Sequence, residues 1–224
     1  VGTDLLRGVV KRLRGAVSEA GGEVRFGCRL DDLDVAGGGV AGVRLSTGEH
    51  EATRVVVLAP GHSARDSFAM LLGRGVAFEP KPFAIGVRIE HPQALIDLGQ
   101  LRELAGHPRL GPASYKLAWH GPEGRAAYSF CMCPGGTVVA AASEAGGVVT
   151  NGMSLHARDS ENANAGLVVN VDPADFGSDH PLAGVEFQRL WERAAFRAGG
   201  GAFAAPVQRV GDLLAGRAST RAGS

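Results

Sequence analysis

Residues 128–144, YSFCMCPGGTVVAAASE, hold two cysteines, a proline and paired glycines before a run of small apolar residues. Pro134 has no backbone N–H, and Gly135 and Gly136 have a backbone freedom that no other residue has. The stretch therefore predicts a tight turn followed by a strand, and not one continuous element. Such a turn lets another group come close to the backbone, so these residues are the first candidates for a functional site.

The composition indicates a loop-rich α/β or α+β protein. Of the 224 residues, 45% are apolar and 21% are charged, which is typical of a globular chain that buries a core. The formal net charge is zero and no basic cluster occurs, which argues against a nucleic-acid or anionic-membrane partner. The 34 glycines and 11 prolines are spread over many short turns.

The cysteine count and the apolar runs indicate a cytoplasmic protein. Three cysteines are too few and odd in number for a disulfide framework, so they fit a reducing compartment. No apolar run approaches the roughly 20 residues of a membrane span, and the N-terminus has no signal-peptide pattern. The chain opens on Val1 and ends in a polar tail, from which we expect an internal piece of a longer protein. No pattern specifies the oligomeric state.

The first 76 residues predict a helix, a meander and a buried strand. Thr3 or Asp4 can cap a helix whose apolar residues recur on one face until Gly21 ends it. Arg54–Ala59 is apolar after its first residue, which is typical of a strand buried on both faces of a parallel sheet. The other predicted strands are Val24–Phe26, Arg29–Val35, Val40–Leu45 and Glu49–Thr53.

A glycine turn follows the predicted buried strand. Pro60 to Asp66 predict a tight turn into a helix at Ser67–Leu72, with Ser63 as its N-cap. A strand, turn and helix in this order present free backbone N–H groups at the edge of a parallel sheet, where α/β proteins bind phosphates and cofactors. Any strand-to-helix turn can use a glycine such as Gly61, so the pattern by itself is not specific.

The pattern changes near Gly75–Pro80, where we place a domain boundary. After it, the sequence predicts alternating strands and two helices, of which the second buries Val185, Leu190, Trp191 and Ala194 or Ala195. The predicted elements are the strand Ala84–Glu90, the helix Gln93–Ala105, the strands Tyr115–Trp119 and Gly147–Thr150, the polar turn Asn151–Ser154, the strand Gly166–Val171 and the helix Ala183–Ala198.

Several phrases, taken together and in this order, resemble one family. They are VGTDLLRGVV (1–10), VVVLAPGHSARDSF (55–68), KPFAIGVRIEHPQ (81–93), YSFCMCPGGTVVAAASE (128–144), VTNGMS (149–154) with Arg158-Asp159 and Asn162-Ala163-Asn164, and FAAPVQRVGDLL (203–214). The sequence resembles the uncharacterised bacterial FAD-dependent dehydrogenases, also called NAD(FAD)-utilizing dehydrogenases, whose later half is the FAD-dependent protein C-terminal domain.

The resemblance implies a fold and a domain organisation. Residues 1–76 are expected to form part of a Rossmann-type FAD-binding domain with a β-meander. Residues 77–210 are expected to form an inserted mixed-sheet α+β domain that caps the flavin and shapes the substrate site. Residues 211–224 are expected to return toward the FAD-binding domain.

The resemblance also implies an activity, which is hydride or electron transfer between FAD and an unknown small molecule, with NAD(P)H as a candidate electron donor. Members of the family carry a G-x-G-x-x-G fingerprint in a strand, turn and helix. The nearest glycine clusters of this sequence, Gly37–Gly39 and Gly199–Gly201, do not follow a predicted buried strand and open a helix, so they do not fit that fingerprint. We therefore expect the main FAD fingerprint to lie outside this chain and the chain alone to be inactive. The alternative is a flavin-fold protein that binds or senses redox state without turnover. Hydrolase and NTPase motifs are absent from the sequence.

The resemblance assigns two segments to FAD binding in the first domain. Leu30 is expected near the adenine, and Ala59, Pro60, Gly61, His62 and Ser63 near the pyrophosphate and ribose. Pro60 stands where such flavoproteins usually have threonine, which removes a hydroxyl and an N–H from that contact. A purely structural turn and a core leucine remain the alternatives for these segments.

Residues 128–144, which we call the focal stretch, supply further candidates in the second domain. Cys131 and Cys133 point the same way if the segment is extended, and they can be a redox pair or a thiolate beside the flavin. Small buried residues that pack a turn are the commonest alternative. A metal site lacks further ligands at suitable spacing. Pro134, Gly135 and Gly136 are expected to let the backbone approach the planar flavin ring.

Five polar residues complete the candidate site. Lys81 and Lys116 are two of only three lysines, and a lysine beside a flavin can stabilise the reduced, anionic ring. We take Lys81 as a catalytic candidate and Lys116 as a substrate candidate. Arg88, Asn151 and Arg158 are the other substrate candidates, with solvated or purely structural roles as their alternatives.

Overall fold

The computed structural model of the protein describes residues 2–221 and shows a mixed α+β fold with 29% helix and 27% strand. The helices are α1 (Thr3–Glu19), α2 (Arg65–Gly73), α3 (Gln93–Leu101), α4 (Ala183–Ala198) and α5 (Val210–Leu214). The strands are β1 (Leu30–Ala36), β2 (Gly39–Leu45), β3 (His50–Ala52), β4 (Phe83–Pro92), β5 (Ala118–His120), β6 (Ala126–Cys133), β7 (Gly136–Ala141), β8 (Val149–Ser154) and β9 (Asn162–Val171).

The described chain divides into two compact units. The meander unit comprises residues 6–81 and 173–186, and the sheet unit comprises residues 2–5, 82–172 and 187–221. The boundary between the two units, at residues 81 and 82, lies within the Pro80-Lys81-Pro82 sequence, which cannot continue a helix or a central strand. Residues 211–221 cluster with the sheet unit.

The meander unit contains the predicted meander. Strands β1, β2 and β3 form one antiparallel sheet in that order, and Val35 pairs with Val40 beside the turn at Gly37 and Gly38. Leu33 of β1 and Leu71 of α2 are each only 3% exposed. The Arg74 Nε donates a hydrogen bond of 2.6 Å to Asp32, so an ion pair holds the end of α2 to β1.

Two strands predicted for this unit do not form. Residues 53–59 have no strand structure, and Val55 and Val57 are 76% and 88% exposed. A parallel strand needs neighbours on both sides, and every sheet among the described residues is antiparallel. Val24–Phe26 also forms no strand, and the ring of Phe26 lies 5.1 Å from the Arg14 guanidinium.

Helices α1 and α2 form where the sequence predicts helices, but with differences in detail. No residue of α1 is buried, and Val10 and Leu13 of its apolar face are 55% and 63% exposed. Helix α2 begins at Arg65 with Ala64 as its N-cap, which makes no side-chain capping hydrogen bond. The prediction that Ser63 is the N-cap is therefore wrong.

A four-stranded antiparallel sheet in the order β4-β9-β6-β5 is the centre of the sheet unit. The predicted strand at 84–90 and the predicted helices at 93–105 and 183–198 are confirmed, with 3-10 structure at Arg102–Leu104 extending α3. Strand β5 begins at Ala118, later than predicted. Residues 151–154 continue strand β8, so the predicted polar turn there is wrong.

Helix α4 presents a different face from the one predicted. Ala183 and Glu192 are buried, whereas Leu190 and Trp191 are 58% and 52% exposed. The aromatic ring of Phe187 packs edge-on against Phe83 of β4, with ring centroids 6.1 Å apart. The predicted stripe of Leu190 and Trp191 is therefore not buried, and Phe187 is the residue of α4 whose ring contacts the sheet.

None of the helices within residues 2–221 combines the length and the apolar character needed to cross a membrane.

Candidate functional site

The glycine turn at residues 59–63 is an open segment of the meander unit. All five residues are exposed, and Gly61 has a φ of +75°. A Cβ added at Gly61 would meet no atom within 4 Å. The turn runs into the N-terminus of α2, where the Asp66 Oδ1 accepts a hydrogen bond of 2.9 Å from the Ser67 N–H.

These features fit a phosphate-bearing cofactor such as FAD. Gly61 leaves its outer side free for a large group, and the N-cap residue of α2 does not cap the helix through its side chain. Backbone N–H groups at a helix N-terminus attract anions. Leu30, the other predicted FAD contact, is half-buried at the start of β1, where it pairs with Leu45.

The turn at residues 133–136, which we call the focal turn, belongs to the sheet unit and is buried throughout. The Gly135 N–H donates a hydrogen bond of 2.8 Å to the Gln93 Oε1, and the Ser154 hydroxyl donates one of 2.9 Å to the Pro134 carbonyl. Gly135 has a φ of +48°, and a Cβ there would overlap the carbonyl of Arg158. Packing within the unit thus already requires this glycine, and the predicted flavin contact of Pro134–Gly136 stays a prediction.

A β-bulge separates the two cysteines of the focal stretch. Phe130 pairs with Gly166, and Cys133 pairs with Asn164. Strand β6 therefore has one more residue between these two pairs than β9 has. Cys131 has a φ of +47° and is exposed, while Cys133 is buried. The two side chains were expected to point the same way if the backbone were extended, and the bulge means that this condition is not met.

The surroundings of the buried cysteine favour the neutral thiol. Burial raises the pKa of Cys133, and the nearby Cys131 raises it further, against smaller opposite effects of Arg88 and Ser154. The Cys133 thiol donates a hydrogen bond of 3.5 Å to the Cys131 carbonyl. This environment does not favour a thiolate at Cys133.

Arg88 joins Cys133 and Asn164 in one cluster. Its Nη1 donates hydrogen bonds to the Asn164 Oδ1 at 2.5 Å and to the Cys131 carbonyl at 3.3 Å, and it lies 4.0 Å from the Cys133 sulfur. A Cβ added at Gly152 of β8 would overlap all three side chains. The hairpin of β7 and β8 therefore lies directly against this cluster, which we call the Arg88 cluster.

The predicted site residues Lys81, Lys116, Asn151 and Arg158 lie outside the Arg88 cluster. The side chains of Lys116, Asn151 and Arg158 are exposed elsewhere in the sheet unit, and only the backbone of Arg158 reaches the focal turn. Lys81 is an exposed residue of the meander unit. No group of three or more His, Cys, Asp or Glu side chains that could hold a metal ion occurs within residues 2–221.

Three residues of the site were missed at the level of sequence. Asn164 is fully buried, Gln93 is 7% exposed, and Gly152 supports the cluster by having no side chain. The Gln93 Nε2 also donates hydrogen bonds to Asp97 and to the Ala113 carbonyl, which ties the focal turn to α3 and its following loop. The alternation Asn-Ala-Asn-Ala at 162–165 was a signal for a strand with a polar face.

Comparison with known proteins identifies two matching family models. Residues 82–224 match the family described as FAD-dependent protein, C-terminal domain-like. Residues 7–91 match the family described as FAD dependent oxidoreductase. The first match alone covers more than half of the chain, and the second includes the open glycine turn.

A relative from Clostridium beijerinckii, described as an uncharacterized protein, is 50% identical over all 224 residues. The chain spans 42% of the length of that relative.

Proposed function

Because this chain belongs to the family of FAD-dependent proteins with this C-terminal domain, we propose that the protein is a flavin-dependent oxidoreductase that transfers a hydride or electrons to or from a small molecule. The observation that carries the proposal is the open Gly61 turn within the stretch that matches the FAD dependent oxidoreductases. The alternative, a redox switch, has less support, because the bulge leaves Cys131 exposed and Cys133 buried.

The residues of the open turn are the ones that would hold FAD. Backbone N–H groups of Gly61 to Ser63 would bind an anionic oxygen, and the absence of a side chain at Gly61 would allow close approach. FAD, when bound, supplies the redox chemistry, and the protein supplies its position and its electrostatic surroundings.

The residues proposed to act on the small molecule belong to the sheet unit. Arg88 supplies a fixed positive charge beside Asn164 and Cys133. The remaining candidates of this unit, Lys116, Asn151, Arg158 and the exposed Cys131, are proposed as substrate or redox contacts at its surface. Lys81 remains the proposed stabiliser of the reduced flavin, with NAD(P)H as the proposed electron donor.

The test is FAD binding by the full-length protein. We expect the purified protein to show the visible absorbance of bound flavin, directly or after addition of FAD. Replacing Gly61→Val should weaken FAD binding by about 10- to 100-fold, because losing one charge-assisted hydrogen bond costs about 1.5–3 kcal/mol. The measurement is titration of the protein with FAD, followed by fluorescence quenching.

A matched control separates cofactor contact from backbone strain. Gly48 lies in the turn between β2 and β3, has a φ of +86° and has no neighbour within 4 Å of an added Cβ. Gly48→Val therefore introduces similar strain without touching the open turn, and FAD affinity should stay at the unmodified level. If the full-length protein takes up no flavin even in excess FAD, the proposed function is wrong.

A further inference from the structure

The Arg88 side chain is a half-buried cation without a carboxylate partner among the described residues. Its three hydrogen bonds all use Nη1, so Nε and Nη2 make none to residues 2–221. It also forms no ion pair within the described chain. A half-buried guanidinium without a carboxylate partner can bind an anionic group through two parallel hydrogen bonds.

The partner of Arg88 has a free donor of its own. Asn164 is fully buried, and its Oδ1 accepts the hydrogen bond from Arg88. Its Nδ2 is buried and donates to no acceptor among residues 2–221. Buried amide groups that lack a partner are costly, so this N–H group is a second, independent indication that an oxygen atom belongs at the Arg88 cluster.

An exposed aromatic ring stands across the sheet from Arg88. Gly166 of β9 pairs with Arg88 of β4 on one side and with Phe130 of β6 on the other, which places all three on one face of the sheet. Phe130 is 62% exposed, and Gly166 contributes no side chain between the two. The Arg88 and Phe130 side chains thus lie on either side of Gly166.

From this arrangement we propose that the Arg88 cluster binds the carboxylate of a small organic acid, with the apolar part of that acid packed on Phe130. The proposal deepens the proposed function, because it names the substrate class of the oxidoreductase. Arg88 binds the carboxylate through the nitrogen atoms that are not used within the protein, and the Asn164 Nδ2 donates to one carboxylate oxygen. The β7–β8 hairpin fixes the guanidinium, because Gly152 lies against it.

The test compares two probes of the same shape on the unmodified full-length protein. Phenylacetate carries the carboxylate and the ring, and phenylacetamide replaces the charge by a neutral amide. We expect phenylacetate to bind at least about tenfold more tightly, since hydrogen bonds to an ionised acceptor are the stronger ones. Isothermal titration calorimetry measures both affinities and needs no mutation and no turnover.

Variants locate the site. Arg88→Gln should reduce phenylacetate binding to the level of phenylacetamide, whereas Arg109→Gln, at an exposed arginine of the same unit, should leave it unchanged. Phe130→Ala should weaken phenylacetate by about fivefold and leave acetate unaffected, because only the former loses an aromatic contact. Circular dichroism melting verifies that each variant is folded, and Phe130 is exposed enough for the last variant to keep its fold.

Two results overturn the proposal. One is equal affinity of the unmodified protein for the acid and the amide, and the other is an unchanged preference for the acid in folded Arg88→Gln. The calorimetry is performed on FAD-loaded and FAD-free protein. Acid-selective binding in a protein that takes up no flavin would reject the proposed function alone, while flavin uptake without acid selectivity would reject this inference alone.

Discussion

The two proline–glycine turns of this protein look alike in sequence and differ in what surrounds them. Pro60-Gly61 lies in an exposed turn of the meander unit, and Pro134-Gly135 lies in a buried turn of the sheet unit. Both glycines have positive φ. An added Cβ would meet nothing at Gly61, but it would overlap the Arg158 carbonyl at Gly135.

The difference shows that a glycine can be required for opposite reasons. At Gly135 the missing side chain is needed by the protein itself, because the backbone of Arg158 and Asp159 uses that space. At Gly61 the protein leaves the space open, and a ligand can use it. The turn at Gly61 therefore leaves room for a ligand, whereas the space at Gly135 is already filled by its own unit.

The largest expected effect comes from filling the buried turn. Gly135→Ala should lower the free energy of unfolding by about 2–5 kcal/mol, because it combines a left-handed backbone strain of about 1–2 kcal/mol with overpacking of about 1–3 kcal/mol. Gly61→Ala should cost only the strain of about 1–2 kcal/mol. Urea denaturation of both variants measures the difference. Equal losses in the two variants would contradict the distinction between a filled and an open turn.

A smaller effect is expected from the hairpin that covers the Arg88 cluster. Gly152→Ala should destabilise the protein by about 1–3 kcal/mol, since the new methyl group overlaps Arg88, Asn164 and Cys133. It should also weaken phenylacetate binding, because the guanidinium must move.

Gly99→Ala is the matched control for this substitution. Gly99 lies in α3, and an added Cβ has no neighbour within 4 Å. The control should raise the free energy of unfolding by about 0.5–1 kcal/mol and leave phenylacetate binding intact. Retained binding in Gly152→Ala would show that the position of Arg88 does not matter to the site.

The smallest effect concerns the cysteines on either side of the bulge. In the native protein, iodoacetamide should modify exposed Cys131 about tenfold or more faster than buried Cys133 at neutral pH, because the thiolate is the reactive form and access is needed. Mass spectrometry of the alkylated peptides measures both rates. Comparable rates at the two positions would mean that the bulge does not separate them.

The raised pKa of Cys133 also has a consequence for stability. Because the folded state favours the neutral thiol, its contribution to stability is complete below the ordinary cysteine pKa of about 8.5 and is lost as pH rises through the higher folded-state pKa. Cys133→Ser should remove this alkaline loss, as measured by urea denaturation at neutral and alkaline pH. An unchanged pH dependence in this variant would contradict burial as the cause.

Most helices and the meander were predictable because their signals are local. The apolar period of residues 3–19, the glycine turns at 37–39 and 48, and the alternation at 84–90 specify α1, the β1–β3 meander and β4 without reference to distant residues. The buried strand predicted at 54–59 does not form, because a parallel strand depends on neighbouring strands, and a local apolar run cannot show whether they are present.

The sequence by itself determined the secondary-structure pattern, the two cysteines with their proline–glycine turn, and the family to which the chain belongs. Only the tertiary structure decided that Cys131 faces outward and Cys133 inward, because a bulge is set by the pairing of β6 with β9. It alone brought Arg88 to Asn164, which lies 76 residues away. Such contacts arise from strand register across the sheet, and no local pattern encodes which distant residue will complete them.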